Sequence, residues 1–398
     1  MDVKDLVPPG GTMQRIHCPQ CGHHRDLRFV DFKEDVSGIP MWIQNIPVLR
    51  CPACGDESIA DLARFTIRET HARAKTDGLS EYNAVRRKRE LNHSFTSVEF
   101  LYDADDHFYL PGLFRPHDVG FLTPVFFNRA VLLKYDNAPG YRVRFASTTY
   151  GTIHTEDEYI SFGINRHGRV VMWLGDIGKL PVSEQHYLRS ENVLSDHSIG
   201  SEFYDGQIDV VFTPRSKEDE LFRQRSNFIE ACLQRFGEKL AHLDAEVMEL
   251  ALSFNPPVVD TPKERRHVAD TLNKIYLESL DNGALAKALT AQGGDPKSLG
   301  SLKRLQGVLE KALPGEDVAR TLSPLYVLYD LRVAYSHLHS TERAEDTLQK
   351  VTDRLGLARD VGLMAIYAAL VGQLTESFAS LAPLVDPEGI YDRSPPME

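Results

Sequence analysis

Apolar and polar residues follow three successive patterns along this chain. Between residues 59 and 91, apolar residues recur every third position with arginine and aspartate between them, which predicts a polar helix. From about residue 94 to 213, short aromatic and β-branched runs are divided by Gly, Pro, Asn and Asp, a pattern typical of strands and turns. From residue 216 onward the apolar period is helical. We therefore predict an α+β multidomain chain with an N-terminal part at 1–92, a β-rich middle domain at 93–215 and an all-α helical bundle at 216–390.

Strands are predicted in the middle domain at 121–135, 142–150, 159–164 and 169–174. The last two runs are separated by Asn165-Arg166-His167-Gly168. Asn and Gly tolerate positive φ, so this tetrapeptide predicts a hairpin turn.

Helix-start signals are clear in the C-terminal part. Ser216 with Asp219 opens a helix whose apolar stripe includes Cys232. Thr261-Pro262-Lys263-Glu264 is a capping box with proline at the first helical position. Breaks between helices are predicted at Gly293-Gly294, Pro314-Gly315 and Gly356. A long helical region without an intervening strand predicts a bundle.

Two short runs carry the strongest chemical signal, Cys18-Pro19-Gln20-Cys21-Gly22 and Cys51-Pro52-Ala53-Cys54-Gly55. Each run is a tight turn that directs two thiolates at one point, and together they supply the four sulfurs of a tetrahedral Zn²⁺ site. The glycine after each second cysteine allows the backbone N–H groups to turn toward the sulfurs. The stretch between the runs is long enough for a β-hairpin. We expect an N-terminal zinc ribbon with four metal ligands, Cys18, Cys21, Cys51 and Cys54.

A closed shell of four sulfurs leaves no position for a substrate, so this zinc is expected to be structural. His17, His23 and His24 lie beside the first run, but the sulfurs already fill the shell. A redox-active CxxC pair is the competing interpretation, and it would not need a duplicate.

Composition and charge restrict the class of protein. The chain has 45 Lys+Arg against 57 Asp+Glu, which gives a formal charge of −12. The overall positive charge typical of many nucleic-acid-binding proteins is therefore absent, although a local basic groove could still bind a nucleic acid. Four of the five cysteines belong to the predicted zinc site, and Cys232 is expected to be an inert buried thiol. Nothing resembles a disulfide framework, which favours a reducing cytoplasm.

Targeting signals are not evident from the sequence. The N-terminal residues MDVKDLVPPGG have no apolar signal core. The longest apolar stretch, 361–371, is shorter than the roughly 20 residues that a membrane span needs. We expect a cytoplasmic protein that does not engage a membrane.

A basic run, Arg86-Arg87-Lys88-Arg89, lies on the predicted polar helix. Such a run is typical of a solvated helix face or a linker, and a phosphate contact is the alternative.

A second chemical signal lies in the segment 325–339, a late helix that is dense in apolar and aromatic residues. It contains Arg332, with His337 and His339 following at spacings Arg-x4-His and Arg-x6-His. At about 100° per residue, His337 lies about 140° from Arg332 on an ideal helix, whereas His339 returns to nearly the same face as Arg332 and Ser336. A helix that frays here would instead free His337 to converge on Arg332. A core helix with hydrogen-bonded histidines is the structural alternative.

The C-terminal third resembles a HEPN domain, a helical bundle whose nuclease members carry Arg-x4–6-His near the end of a late helix. Arg332 and His337 fall on that motif, with His339 as the other candidate; Val333 follows the arginine, where many active members have a polar residue. The resemblance implies a homodimer in which two motifs line one cleft. It also implies that RNA is cut without metal, the ribose 2′-OH attacking the adjacent phosphate. His337 would then act as general base or acid, and Arg332 would stabilise the transition state.

The N-terminal 75 residues are similar to the YgiT-type zinc finger of MqsA-family antitoxins, in which a zinc ribbon leads into a polar helix. The similarity rests on both CPxCG runs and the helix that follows. It implies a structural module that binds a protein partner. The separate helix-turn-helix domain that binds DNA in that family is not evident in this sequence.

Two other polar groups have no clear chemistry. Ser195-Asp196-His197 has the letters of a catalytic triad, but adjacent side chains diverge, so a loop is expected. Arg115, His117 and Asp118 could form a ligand patch, although a turn with local hydrogen bonds is favoured.

The HEPN resemblance implies a metal-independent endoribonuclease of toxin–antitoxin or phage-defence type, with Arg332 and His337 or His339 at its catalytic site. The alternative is a non-catalytic binding or assembly protein built from a zinc ribbon and a HEPN-like bundle. A third interpretation, a nucleic-acid-binding regulator that uses the ribbon and the basic run, fits the acidic charge less well.

Overall fold

The chain divides into two compact units, Met1–Pro214 and Arg215–Glu398. The structure is a computed structural model that describes residues 1–7, 14–110, 119–155, 158–337 and 340–389, without the side chain of residue 341. The first unit contains two β-sheets and the second is helical, so the described chain is a mixed α/β protein with a β-rich middle and a helical C-terminal region.

The first sheet is built around a long hairpin. Its strands are β1 (Asp26–Val36), β2 (Ile39–Arg50), β3 (Glu57–Ile59) and β4 (Tyr82–Val85). Strands β1 and β3 pair with β2 antiparallel, whereas β4 pairs with it in parallel. The hairpin occupies the stretch between the two cysteine runs, as the sequence predicted.

The second sheet follows in the β-rich middle of the chain. Its strands are β5 (Pro124–Phe127), β6 (Arg142–Phe145), β7 (Tyr150–His154), β8 (Tyr159–Ile164), β9 (Val170–Trp173) and β10 (Asn192–Val193), in the spatial order β10-β5-β9-β8-β7-β6. All six pair antiparallel. The predicted turn between β8 and β9 is confirmed, since the N–H of Gly168 donates to the carbonyl of Asn165 and Gly168 has φ 76°.

Short helices connect and cover these sheets: α1 (Asp61–Thr76), α2 (Ala104–Tyr109), α3 (Leu132–Asn137), α4 (Leu174–Ile177), α5 (Val182–Ser190) and α6 (Glu202–Tyr204). One apolar core joins residues of both sheets, because Leu27 and Ile43 of the hairpin share it with Phe126 and Trp173. The predicted ranges 1–92 and 93–215 therefore contribute to a common core.

Two sequence predictions in this unit are wrong in detail. The helix expected at 59–91 ends at Thr76, because Gly78 turns the chain with φ 66° and β4 follows. The strand expected at 121–135 is limited to β5, and the chain then enters a 3₁₀ turn and α3. The patch of Arg115, His117 and Asp118 lies outside the described residues.

The second unit consists of the helices α7 (Lys217–Phe236), α8 (Asp244–Ser253), α9 (Pro262–Asn273), α10 (Asn282–Ala291), α11 (Ser301–Ala312), α12 (Val318–Thr321), α13 (Ser323–Ser336), α14 (Thr341–Leu355) and α15 (Leu363–Val385). The predicted caps are confirmed: Ser216 Oγ accepts the N–H of Asp219, and Thr261 Oγ1 accepts the N–H of Glu264. Cys232 is buried in the α7 stripe, and burial raises the pKa of its thiol, as expected for an inert cysteine.

Helix α15 is long and apolar enough to cross a membrane by length and composition, with a mean hydropathy of 1.2 over its best window. Its buried residues recur every three or four positions, from Leu363 through Leu370 and Leu374 to Val385, and the helix packs along α7. That spacing is the pattern of a core helix in a helical unit. The apolar element is longer than the stretch 361–371 that the sequence suggested.

Candidate metal centre and catalytic cluster

The two cysteine runs fold as matching turns at the ends of the β1–β2 hairpin. In each, the N–H of the glycine donates to the carbonyl of the first cysteine, at 2.9 Å for Gly22 and 3.0 Å for Gly55. Both glycines have the positive φ expected from the sequence, 75° and 78°. An L side chain rarely adopts this conformation, so the glycines allow the turns to close.

The four sulfurs meet at one point. Cys21 Sγ lies 3.5 Å from both Cys51 Sγ and Cys54 Sγ, and Cys18 Sγ lies 3.5 Å from Cys54 Sγ. A tetrahedral metal site with sulfur ligands at about 2.3 Å places its sulfurs about 3.8 Å apart. The spacing is close to that value and far longer than a disulfide bond of about 2.0 Å. The cluster could therefore hold one metal ion, and both CxxC pairs take part in it.

The electrostatics differ among the sulfurs of the cluster. At Cys21 and Cys54 a backbone N–H lowers the pKa, but burial and the neighbouring thiols raise it by more in total. At Cys51 burial raises the pKa, but the N–H groups of Cys54 and Ala53 point at its sulfur and outweigh this effect, so the pKa falls from 9.0 to about 6. Cys18 and Cys51 are buried, whereas Cys21 and Cys54 are exposed. The site thus has an inner and an outer pair of sulfurs.

Arg332 lies on α13 in the second unit, within a group that we call the Arg332 cluster: Arg332, Ser336, Asp270 and Glu278. The Arg332 side chain is 33% exposed, with Nε 3.6 Å from Asp270 Oδ1 and Nη2 3.5 Å from Glu278 Oε1. Ser336 Oγ donates to Asp270 Oδ1 at 2.7 Å, so Arg332 and Ser336 share one helix face as predicted. The N–O distances exceed normal hydrogen-bond lengths, and half-exposed pairs of this kind contribute about 0–1 kcal/mol.

His337 lies at the end of the same helix. Helix α13 ends at Ser336, and His337 is exposed with an extended backbone, φ −89° and ψ 147°. His337 therefore leaves the helical path on which it would lie far from Arg332. His339 lies outside the described residues. The contacts described for the Arg332 guanidinium are with carboxylates.

A one-turn π-helix, Lys274–Glu278, brings Glu278 to the cluster directly after α9, which carries Asp270. Such turns recur at functional sites because they redirect side chains within a helix. The sequence contains no signal for this turn, and the two carboxylates were not predicted as site residues. The cluster combines a guanidinium, a hydroxyl and two carboxylates at the surface, and the exposed His337 directly follows the helix that carries two of them. Carboxylates and imidazoles are groups used in acid–base chemistry.

The basic run 86–89 is engaged within the first unit. Arg86 donates to both carboxylate oxygens of buried Asp105, at 3.1 and 2.8 Å. Lys88 Nζ lies 2.5 Å from Asp103 Oδ2, and the Arg89 guanidinium stacks over the Phe108 ring. The run follows β4 and does not lie on a helix, contrary to the sequence prediction.

The segment Ser195-Asp196-His197 forms a polar network with a partner that sequence reasoning did not identify, buried Asp106. His197 Nδ1 lies 2.7 Å from Asp106 Oδ1, and Ser195 Oγ donates to Asp106 Oδ2 at 2.5 Å. Asp196 points elsewhere, toward Asn165 and His167. The serine proton is directed at a carboxylate, so this arrangement does not form a nucleophile relay.

Burial lowers the pKa of His197, but its hydrogen bond to Asp106 and the nearby Asp103 charge raise it to a greater extent. His197 also adopts positive φ, 61°, and its carbonyl accepts the N–H of Leu27 on β1. This network therefore joins the segment after the second sheet to the first sheet.

Beside this network, buried His107 gives a pH prediction. Burial and the neighbouring His93 lower the pKa of His107 from 6.5 to about 4, and its Nε2 accepts the N–H of Gly120 at 3.1 Å. The folded state therefore binds fewer protons here than the unfolded state, so the stability of the first unit should fall as pH drops from 6.5 toward 4. The side chain in His107→Gln retains a hydrogen-bond acceptor but does not titrate. The stability of the first unit in this variant should therefore depend less on pH between 6.5 and 4.

Urea unfolding at several pH values, followed by tryptophan fluorescence, measures the effect. Both tryptophans, Trp42 and Trp173, lie in the first unit, so the signal reports on that unit. Parallel pH curves for the wild type and His107→Gln would contradict the assignment.

In comparisons with known proteins, no family model, curated protein or solved structure matches this chain.

Proposed function

We propose that this protein is a metal-independent endoribonuclease whose four clustered cysteines hold a structural Zn²⁺. The observation that carries the catalytic part is the Arg332 cluster, where a partly exposed guanidinium lies beside two half-exposed carboxylates and an exposed histidine ends the same helix. The zinc assignment rests on four sulfurs at 3.5 Å spacings in two CPxCG turns. The expected compartment remains the reducing cytoplasm, where these thiolates persist.

In the proposed reaction, a base removes the proton from a ribose 2′-OH and that oxygen attacks the adjacent phosphorus. The bond from phosphorus to the 5′-oxygen breaks, and an acid gives that oxygen a proton, which leaves a 2′,3′-cyclic phosphate and a 5′-hydroxyl. Half-exposed Glu278 is assigned as the base and His337 as the acid, while Arg332 balances the charge that develops on phosphorus.

The loose ion pairs of Arg332 suit this role. A guanidinium held at 3.5–3.6 Å by exposed carboxylates forms no short bidentate pair, so a phosphodiester can replace one carboxylate with little loss. A second copy of the chain, facing the first through the helical bundle, would provide a second set of these groups in the same cleft. The homodimer is part of the proposal.

The test is cleavage of total RNA in EDTA without added Mg²⁺, using protein shown by metal analysis to retain its zinc during the assay. Arg332→Ala and His337→Ala should each lower the cleavage rate by about 10²-fold or more, the usual contribution of an acid–base or charge-stabilising group. Arg359→Ala and His186→Ala remove the same side-chain types at other exposed positions and should leave the rate unchanged. Cleavage that persists in both Arg332→Ala and His337→Ala would overturn the site.

One observation favours a second candidate, a non-catalytic binding or assembly protein with a partner at the cysteine module. The ion-pair partners described for Arg332 are both acidic, as in a surface ion cluster without catalytic use. In that case the wild type would not cleave RNA, and Arg332→Ala would change only the stability of the second unit, by about 1 kcal/mol or less.

A further inference from the structure

Two histidines beside the first cysteine run face one another. His17 and His24 form an isolated antiparallel β-bridge that encloses the turn Cys18–Cys21. Directly opposite residues of an antiparallel pair project to the same side, and the two ring centroids lie 4.5 Å apart. The turn that positions the sulfurs thus also brings two imidazoles to one place.

Two aspartates approach these rings from a segment almost two hundred residues later. Asp205 and Asp209 begin and end a π-helical segment that follows α6. Gly200, which precedes this segment, lies close to His24 beside the first cysteine turn. A Cβ added at Gly200 would lie only 2.2 Å from the Cβ of His24. Glycine at position 200 is therefore required for this approach.

The donor atoms of these side chains lie close together. His17 Nε2 lies 3.0 Å from Asp205 Oδ1 and 3.4 Å from Asp209 Oδ2, and His24 Nε2 lies 2.8 Å from Asp205 Oδ1. The donor atoms of His17, His24 and Asp205 all fall within 4.8 Å of one another. A tetrahedral ion with nitrogen and oxygen ligands at about 2.0–2.2 Å separates its ligand atoms by about 3.3–3.6 Å, so shifts of less than about 1 Å would accommodate an ion here.

The second ring nitrogen of His17 is also placed as in a metal ligand. Its Nδ1 lies 3.2 Å from the carbonyl oxygen of Gly22, which can only accept, so Nδ1 donates and Nε2 faces the carboxylates. Metal-bound histidines usually donate their other N–H to a carbonyl or carboxylate, which fixes the orientation of the ring. The four side chains are between 18% and 33% exposed, so an ion can reach them from solvent.

We propose that His17, His24 and Asp205 bind a second divalent metal ion, with Asp209 as the fourth ligand. Imidazole and carboxylate donors suit Zn²⁺ and neighbouring first-row ions, in contrast to the four sulfurs next to them. Two neutral imidazoles and two carboxylates balance the charge of a divalent ion, which limits the cost of placing it in a partly buried site. The ion would hold segment 205–209 against the first cysteine turn.

The test is the metal content of the full chain after saturation with Zn²⁺ and removal of loosely bound ion by gel filtration. We expect about two equivalents for the wild type and about one for Asp205→Asn and for His24→Ala, because each removes a ligand of the second site only. Asp205→Asn is nearly isosteric, and its urea midpoint by tryptophan fluorescence checks that the first unit remains folded. His23→Ala is the matched control, since His23 lies in the same turn, is exposed and should leave two equivalents bound.

Substitution with Co²⁺ separates the two sites by their spectra. Thiolate ligands give an intense sulfur-to-cobalt charge-transfer band, which the second-site variants should retain in full while they lose the weaker bands of a nitrogen and oxygen site. Only one equivalent in the wild type, or an unchanged content in both variants, would overturn the proposal and identify these contacts as ion pairs without metal.

Discussion

Cys51→Ser is expected to release about one equivalent of metal, the ion at the four sulfurs, and to lower the urea midpoint of the first unit strongly. Cys51 Sγ is buried and 3.5 Å from Cys21 Sγ, and its residue directly follows β2, the central strand of the first sheet. Structural zinc sites contribute about 10–16 kcal/mol of apparent binding free energy, whereas whole domains are stable by about 5–15 kcal/mol. Loss of this site should therefore remove most of the stability of the unit.

Metal analysis and urea unfolding by tryptophan fluorescence measure the two parts of this prediction. Cys232→Ala removes the buried thiol of the second unit and should leave both readouts unchanged, since that residue lies outside the tryptophan-containing unit. A strong chelator should lower the wild-type urea midpoint by much more than that of Cys51→Ser. Retention of metal and midpoint by Cys51→Ser would contradict a metal centre at these sulfurs.

Arg86→Ala is expected to lower the free energy of unfolding of the first unit by about 3–5 kcal/mol, the usual result of leaving a buried charge without its partner. The Arg86 side chain is 9% exposed and that of Asp105 is fully buried. Arg86 also donates through Nε to the carbonyl of Asn45, at 2.6 Å, and its guanidinium packs between the rings of Phe29 and Tyr109. One side chain thus joins β2, β1 and α2.

The adjacent Arg87 provides the control, because it is exposed and its replacement by alanine should change stability by less than about 0.5 kcal/mol. The double variant Arg86→Met/Asp105→Leu removes both charges and should recover much of the stability that Arg86→Ala loses. Equal urea midpoints for Arg86→Ala and Arg87→Ala would show that the pair does not support the fold.

Features that depend on a few neighbouring residues could be predicted from the sequence. The two cysteine turns need only a CPxCG run, and the caps at Ser216 and Thr261 need only the next three residues. The hairpin turn at Asn165–Gly168 is equally local. In each case one short stretch determines the geometry, so the pattern is sufficient.

Features that depend on distant partners could not be predicted. Asp106 meets His197 across 91 residues, and Arg86 meets Asp105 only after β4 has paired with β2. Helix α1 ends before the predicted residue 91 because Asp77-Gly78 turns the chain. The prediction followed the apolar period at 59–65 and gave this turn signal too little weight. Ion pairs between distant residues and the pairing of parallel strands produce no periodic pattern in the sequence.

The proposed catalytic site could be predicted from the sequence only in part, for the same reason. The motif identifies Arg332 and His337, but the carboxylates beside Arg332 come from α9 and the π-turn after it, more than fifty residues earlier. The position of His337 depends on where α13 ends, and the sequence around Ser336 has no strong helix-stop residue.

The division of the cysteine cluster into a shielded pair and a solvent-facing pair has a consequence for its chemistry in the cell. Oxidants and alkylating reagents arriving from solvent meet the exposed Cys21 and Cys54 first, because Cys18 and Cys51 are buried. Oxidation would thus begin at the outer thiols and weaken the binding of the proposed ion before the inner thiols react. With that ion bound, the folded lifetime of the N-terminal half would depend on the oxidative state of its surroundings.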